Sequence, residues 1–116
     1  MFKDLSSNNG NSLYNTFMRI ISKKRLKDFY EQSKYSDSKN ALEAWHKEVL
    51  KLDWSNPNEI KEMYRSASII GDTKVVFNIA GNKYRLIVTI NYYAKIVFLK
   101  FIGTHQQYDK INIEEL

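Results

Sequence analysis

The chain has 116 residues, 43% of them hydrophobic, no cysteine and a formal net charge of +5 at pH 7. This length supports one domain, and the apolar fraction supplies a core, which excludes a disordered chain. Without cysteine, disulfides and thiolate metal sites are excluded, and no apolar run is long enough to cross a membrane. We therefore expect a one-domain protein of the reducing cytoplasm with no membrane partner.

The first residues differ in composition from the rest of the chain. Residues 1–17 are rich in Ser and Asn and include Gly10, which is typical of a flexible extension. They also lack the basic start and apolar centre of a secretory signal. We therefore expect the folded domain to span residues 18–116.

Apolar spacing predicts a strand and three helices in the first half of this domain. The strand covers Arg19–Ile21, and Ser22 is the expected N-cap of a helix over residues 22–33. A second helix is predicted over residues 38–52, where apolar side chains recur at three- and four-residue steps. These side chains are Leu42, Trp45, Val49 and Leu52. A third, short helix is predicted after Asn56, a candidate cap, with Pro57 at its first position and Glu59 at the spacing of a capping box.

After Gly71 the apolar pattern changes to a period of two, which predicts strands. Gly81-Asn82 is a two-residue hairpin signal with Gly first, as a type II′ turn prefers, and residues 92–94 form a weaker turn. The three predicted strands cover residues 73–79, 83–91 and 95–103. The expected fold class is α+β: an antiparallel sheet, made of a short N-terminal strand and a three-strand C-terminal meander, packed on two to three N-terminal helices.

The two turns also predict the register of the sheet. They place Asn78 opposite Arg85 and Ile87 opposite Lys100. One face is then almost entirely apolar, with Val75, Phe77, Ile79, Tyr84, Leu86, Val88, Ile90, Val97, Leu99 and Phe101. The other face is mixed, with Lys74, Val76, Asn78, Arg85, Ile87, Thr89, Phe98, Lys100 and Ile102. A one-residue slip would bury two unpaired charges, at a cost of roughly several kcal/mol.

The basic excess lies in the C-terminal half of the chain. Residues 74–110 contain six basic side chains and one acid, whereas residues 19–65 contain eleven basic and eight acidic ones. A positive sheet face attracts phosphate through Coulomb forces that salt weakens. We therefore expect a phosphate-bearing ligand on the mixed face.

The segment after the last predicted strand carries the groups that cleavage of RNA by its own 2′-hydroxyl requires. His105 can give or take a proton near neutral pH, and Tyr108 can do so where cations stabilise its phenolate. Arg85 can hold a phosphate through two hydrogen bonds. Three lysines add positive field: Lys100, Lys83 and Lys110.

Each of these residues also has an ordinary structural interpretation. His105 could bond a backbone carbonyl, Tyr108 could be a half-buried anchor, and Arg85 and Lys100 could be solvent-facing residues of a half-exposed sheet. A basic run at residues 23–27 is a solvated helix face that could also touch ribosomal RNA. Two histidines and no facing carboxylates argue against a zinc site, and no phosphate loop or nucleophile elbow is present, so we expect neither a metal nor a cofactor.

Two motifs in the C-terminal half resemble the HigB-type toxins of type II toxin–antitoxin pairs, within the RelE superfamily. They read VFNIAGNKYRL at residues 76–86 and THQQYDKI at residues 104–111, and the resemblance extends from Met18 to about Ile111. It implies a RelE-like fold, cleavage of mRNA in the ribosomal A site to a 2′,3′-cyclic phosphate, and inhibition by a cognate helix-turn-helix antitoxin.

The resemblance also implies roles for individual residues. Arg85 matches the motif arginine, and His105 and Tyr108 match the H-x-x-Y pair and would share the proton transfers. Arg85 and Lys100 would stabilise the transition state. The expected RNA contacts are Asn78, Lys83, Lys110 and Lys74.

Two other functions remain open from the sequence. The same sheet could bind RNA or the ribosome without cleaving, and so block translation, or it could serve only to dock another protein. The integrity of an RNA after incubation separates the first alternative from the enzyme, and near-normal growth on overexpression would favour the second.

Overall fold

A computed structural model describes residues 17–116 of the chain. The extension expected at residues 1–17 lies, except for Phe17, outside the described residues. Within residues 17–116, no helix combines the length and the apolar character needed to cross a bilayer.

Two of the three predicted helices differ from the expectation, the first at its start and the second mainly at its end. The helix α1 covers Lys24–Tyr30 and its N-cap is Lys23. Ser22 is not the cap, and its φ of 76° lies in the left-handed region. The start of α1 has no side-chain cap, because Lys23 is itself in the helical region and makes no capping hydrogen bond. The second helix, α2, covers Lys39–Val49 and follows a 3-10 helix over Ser33–Ser38, so the predicted start at residue 38 is nearly right and the predicted end is three residues too long.

The third helix confirms the capping prediction. The helix α3 covers Pro57–Met63, and the Asn56 side chain accepts a hydrogen bond from the Glu59 backbone N–H at 3.2 Å. The Glu59 carboxylate reaches back to the backbone N–H of Ser55, one residue before the cap. The local sequence therefore determines this helix start.

The α+β class is confirmed, and residues 17–116 contain five strands in one sheet. These are β1 (Arg19–Ile21), β2 (Ser68–Ile70), β3 (Lys74–Ile79), β4 (Tyr84–Asn91) and β5 (Ile96–Thr104), in the order β1-β5-β4-β3-β2. Two details differ from the expectation: β1 pairs with β5 in the parallel sense, and β2 is an additional edge strand antiparallel to β3.

The core lies between one face of the sheet, here called the core face, and the helices. It joins Leu42, Trp45 and Val49 of α2 to Phe77, Leu86 and other alternating residues of β3 to β5. The opposite face, here called the outer face, carries Lys74, Val76, Asn78, Arg85, Ile87 and Thr89. The predicted assignment of residues on β3 and β4 to the two faces is therefore confirmed.

The register of β3 and β4 is also as predicted, with Asn78 opposite Arg85 and Gly81 at φ 69° in the connecting turn. The pairing of β4 with β5 is not, because it shifts by one residue between Ile87 and Val88, and Phe101 rather than Lys100 lies opposite Ile87. Such a β-bulge adds one residue to a strand.

The bulge exchanges the faces predicted for two residues. Ile102 packs against the core, whereas Phe101 pairs with an outer-face residue. The C-terminal residues return along the outer face, where Lys74 Nζ donates to the carbonyl of Glu114 at 3.1 Å. The outer face is therefore only partly open to a ligand, with its centre apolar and buried at Val76 and Ile87.

Candidate active site

A single helical turn follows the last strand and carries two of the predicted catalytic residues. This turn, α4, covers His105–Tyr108. Thr104 is its N-cap: the Thr104 hydroxyl accepts from the Gln107 backbone N–H at 3.1 Å, and Gln107 Oε1 accepts from the Thr104 N–H at 2.9 Å. This reciprocal capping box satisfies two backbone donors that a helix start otherwise leaves without partners.

Gly103 makes room for that capping box. A Cβ atom at position 103 would lie 2.6 Å from Gln107 Oε1 and 2.6 Å from the end of the Phe101 ring. Both distances are far below van der Waals contact. An alanine here would force the ends of these two side chains to shift, so Gly103 serves close approach and not an unusual φ.

Arg85 and Tyr108 meet at the end of the outer face. Arg85 lies on β4 opposite Gly103 of β5. Gly103 directly precedes Thr104, the cap of α4. The Arg85 Cζ atom lies 5.9 Å from the centroid of the Tyr108 ring, within the range of a cation–π contact. Arg85 Nη1 also donates to the carbonyls of Asn82, at 2.9 Å, and Tyr84, at 3.3 Å, so the β3–β4 turn orients the guanidinium.

His105 lies on the same turn as Tyr108, three residues earlier. Side chains at this spacing are neighbours on a helix surface. The His105 imidazole is 54% exposed, and its Nε2 atom lies 3.5 Å from Asp109 Oδ2. The His105 backbone N–H donates to the carbonyl of Lys83 at 3.3 Å. The turn is thus attached to the same β3–β4 loop that orients Arg85.

The arrangement therefore combines one fixed cation with two groups that can move a proton. The guanidinium can donate to phosphoryl oxygens, while an imidazole or a phenol can exchange a proton with a hydroxyl. A partly exposed site of this kind is open to an extended ligand such as a nucleic-acid strand.

Lys100 is not part of this cluster. It lies at the β-bulge, and its Nζ atom is 6.0 Å from the ring centroid of Phe98. Phe98 pairs with Thr89, which lies toward the opposite end of β4 from Arg85. The Lys100 backbone carbonyl accepts from Arg25 Nη1 of α1 at 3.2 Å. The bulge therefore separates Lys100 from the arginine with which the sequence grouped it.

Lys83 is paired with an acid from the helical layer. Its Nζ atom forms a salt bridge with Asp37 of the 3-10 helix, and Asp37 also accepts from the hydroxyl of Tyr84. The hydrogen bonds from Lys83 and Tyr84 hold the pKa of Asp37 below its usual range. Burial and the neighbouring Asp37 raise the pKa of Tyr84 to about 12, so Tyr84 stays a neutral donor at physiological pH.

The other three predicted RNA contacts lie at separate places. Asn78 is opposite Arg85 and donates to the Ser66 carbonyl at 3.4 Å. Lys74 is at the far end of β3, bonded to Glu114. Lys110 is exposed just after α4. Of these, Asn78 pairs with Arg85 across β3 and β4, and Lys110 follows Tyr108 by two residues in the sequence.

Sequence reasoning missed three residues that contact α4 or the loop beside it. Gln107 had a readable signal, since Thr104 and Gln107 stand at capping-box spacing. Tyr35 and Asp37 had none, because their contacts join parts of the chain far apart in sequence. Among residues 17–116 there is no group of three or more His, Asp and Glu side chains placed to hold a metal ion.

Comparison with known proteins adds to this geometry. Residues 38–111 match the model of the HigB toxin family, described as the RelE-like toxic component of a toxin–antitoxin system. The chain is 29% identical over 94 residues to the mRNA interferase toxin HigB of Escherichia coli (strain K12) and to the mRNA interferase HigB of Shigella flexneri, covering 79% of this chain and 88% of each relative. The mRNA interferase HigB of Escherichia coli O6:H1 is also 29% identical, over 96 residues.

The family match covers more than half of the 116 residues and includes both motifs on which the resemblance was based. It contains β3, β4, β5 and α4, which together position Arg85, His105 and Tyr108. The protein therefore belongs to the HigB family of RelE-like toxic components of toxin–antitoxin systems.

Proposed function

We propose that this toxin is an mRNA interferase, an endoribonuclease that cuts messenger RNA in the ribosomal A site without a metal ion. The observation that carries the proposal is the contact of Arg85 with Tyr108, on a helical turn that also presents His105. The curated relatives named above are mRNA interferases, which supports the same activity here.

The proposed reaction is an internal transfer at phosphorus. The ribose 2′-oxygen loses its proton and forms a bond to the adjacent phosphorus, and the bond from phosphorus to the 5′-oxygen breaks. The products are a 2′,3′-cyclic phosphate and a 5′-hydroxyl end. His105 and Tyr108 share the two proton transfers, one removing the 2′-hydroxyl proton and the other supplying a proton to the leaving 5′-oxygen.

Arg85 stabilises the negative charge that develops during the reaction. Negative charge grows on the phosphoryl oxygens as the new bond forms, and a guanidinium already oriented by the Asn82 and Tyr84 carbonyls stabilises that charge without reorganising. In this proposal Lys100 stabilises the charge only from a distance. Lys74, Asn78, Lys83 and Lys110 would contact the rest of the RNA strand, with the Lys83 contribution reduced by Asp37.

The proposed partners follow from the family and from the charge. The family is the toxic half of a toxin–antitoxin system, so a cognate antitoxin, proposed here to be a helix-turn-helix protein, would neutralise it. The net charge of +5 favours association with the ribosome and with mRNA through contacts that salt weakens.

The test is cleavage of a defined message in a translating extract, which keeps the Mg²⁺ that ribosomes need. Metal independence of the protein is tested by treating it with EDTA and removing the chelator before it is added to the extract. The purified protein should cut the message and leave a 2′,3′-cyclic phosphate, and His105→Ala should lower the cleavage rate by about a hundredfold, the scale of a lost general acid or base. His46→Ala on α2 is the matched control and should cleave normally. Message that is bound but intact at high protein concentration would instead show a binding module that blocks translation.

A further inference from the structure

The turn that carries His105 and Tyr108 is too short to hold its own position. The helix α4 has four residues, and isolated helices of this length do not form in water because nucleation costs more than the first hydrogen bond returns. Contacts with other elements must therefore fix α4. Besides the Arg85–Tyr108 contact, two sets of hydrogen bonds within residues 17–116 join α4 to other elements, one at its third residue and one at its first.

The first contact links Gln107 to Tyr35. Gln107 Nε2 donates to the Tyr35 hydroxyl at 3.3 Å, while Gln107 Oε1 and the Gln107 backbone N–H are engaged in the capping box with Thr104. One side chain thus joins α4 to its own cap and to the 3-10 helix Ser33–Ser38. The sequence separation of 72 residues makes this a tertiary anchor.

Tyr35 is itself firmly placed. Its ring stacks on Phe29, with centroids 4.4 Å apart and planes at 5°, and meets the edge of the Tyr84 ring at 6.1 Å. Phe29 and Tyr84 are buried at 6% and 1% exposure. Aromatic pairs in these geometries are favourable beyond their buried area, so the Tyr35 hydroxyl is held at a fixed place in front of α4.

The second contact runs through Asp37, two residues after Tyr35. The Asp37 carboxylate binds the Lys83 ammonium and the Tyr84 hydroxyl, and the Lys83 carbonyl accepts the backbone N–H of His105. The 3-10 helix therefore reaches the first residue of α4 through the β3–β4 loop, and the third residue through Tyr35.

We propose that Tyr35 and Asp37 are positioning residues for the active site: they hold α4 so that His105 and Tyr108 face the phosphate bound by Arg85. The expected effect of these residues on catalysis rests on the proposed function. Their expected effect on the stability of α4 does not. Both residues precede the segment that matches the family model, residues 38–111, so the family match assigns them no role.

The sharpest variant is Tyr35→Phe, because it keeps the stacked ring and removes only the hydroxyl that Gln107 contacts. The matched control is Tyr93→Phe, at a tyrosine that is 99% exposed in the turn between β4 and β5. Amide hydrogen exchange by NMR reports on α4 directly, through the N–H groups of Gln107 and Asp109 that bond within the turn. A net hydrogen bond of ordinary strength predicts about fivefold faster exchange of these two amides in Tyr35→Phe.

A double-mutant cycle tests whether Tyr35 acts through Gln107. We expect Tyr35→Phe to lower kcat about tenfold with KM nearly unchanged, Gln107→Leu to lower kcat at least as much, and the double variant to be no slower than Gln107→Leu alone, as coupled residues are. Asp37→Asn should speed exchange of the His105 amide. Core amides of β4 should not change in Tyr35→Phe or Gln107→Leu. In Asp37→Asn they report the loss of global stability, so the local effect is the acceleration of the His105 amide beyond that of the β4 amides.

The outcomes separate this inference from the proposed function. If the wild-type protein leaves message intact, the proposed nuclease fails, while the exchange rates still decide whether Tyr35 and Asp37 hold α4. If Tyr35→Phe and Asp37→Asn leave the α4 amides as protected as in the wild type, or if the Tyr35 and Gln107 effects on kcat multiply, the positioning role is wrong.

Discussion

Replacing Arg85 with lysine separates the positive charge of this residue from its geometry. Both structural bonds of the guanidinium use the same atom, Nη1, on the carbonyls of Asn82 and Tyr84. Among residues 17–116, no acceptor bonds to Nη2 or Nε, so these two nitrogens can donate side by side to two phosphoryl oxygens. A lysine ammonium is a single nitrogen, and it can keep the loop carbonyl or hold the phosphate in only one contact.

The magnitude follows from the loss of one preorganised electrostatic contact, which costs about 10²–10³ in rate. A hundredfold loss in kcat corresponds to about 2.7 kcal/mol of transition-state stabilisation. Because lysine keeps the charge, binding of RNA at low salt should weaken only a few-fold. The lost bonds to the loop carbonyls should lower the free energy of unfolding by about 1 kcal/mol, since the site is partly exposed.

The assay compares single-turnover cleavage of one message by the wild type, Arg85→Lys and the control Arg65→Lys, an exposed arginine between α3 and β2. RNA affinity and urea unfolding are measured on the same preparations. If folded Arg85→Lys retains more than a third of the wild-type rate, the two free nitrogens are not used on the phosphate and the reasoning is wrong.

Three further variants test separate parts of the structure. Gly103→Ala forces the Gln107 and Phe101 side chains aside and should lower the free energy of unfolding in urea by about 1–3 kcal/mol, from a lost hydrogen bond and an off-rotamer ring; unchanged stability would contradict the close approach. Asp37→Asn should be less stable than the wild type near pH 7, because the pKa of Asp37 is lowered in the folded protein. The difference in stability should persist above the unfolded pKa of about 3.9 and disappear as the pH falls through the folded pKa. Asn56→Ala should cost about 1 kcal/mol in urea unfolding with normal cleavage, and a loss of cleavage would show that α3 matters to the site.

Local patterns were enough to predict the elements that local interactions determine. The Asn56 cap of α3 and the Gly81 turn were readable because each depends on neighbours within four residues. The pairing of Asn78 with Arg85 followed from that turn, since a hairpin turn fixes the register of its two strands. The basic outer face and its arginine were therefore predictable.

Tertiary contacts explain where the observed fold differs from the fold predicted from the sequence. The bulge at Lys100 has no signal in the alternation of β5, because Phe101 and Ile102 are both apolar and either could face the core. β2 is only three residues long and pairs as an edge strand, which a period-two pattern cannot reveal. Ser22 has a typical cap chemistry but takes a left-handed φ at the junction of β1 and α1.

Part of the candidate site was assembled from the sequence, since Arg85 and Tyr108 are in contact, while the catalytic roles named for these residues stay predictions. The residues with proton-transfer and phosphate-binding groups were named from their types and from the family resemblance. The salt bridge that occupies Lys83 comes from Asp37, 46 residues earlier. Pairings of this kind depend on how the helical layer packs on the sheet, and no spacing in the sequence encodes them.

The path of the C-terminal residues along the outer face has a practical consequence for how the protein is handled. Leu116 lies two residues beyond the carbonyl that Lys74 binds, on the same side of the sheet as Arg85. An affinity tag or fluorescent fusion appended after Leu116 would start from that side of the sheet and compete sterically with a large ligand, as the proposed ribosome would be. Measurements of toxicity or cleavage should therefore be made with any tag removed, because steric hindrance by the tag would lower the measured activity.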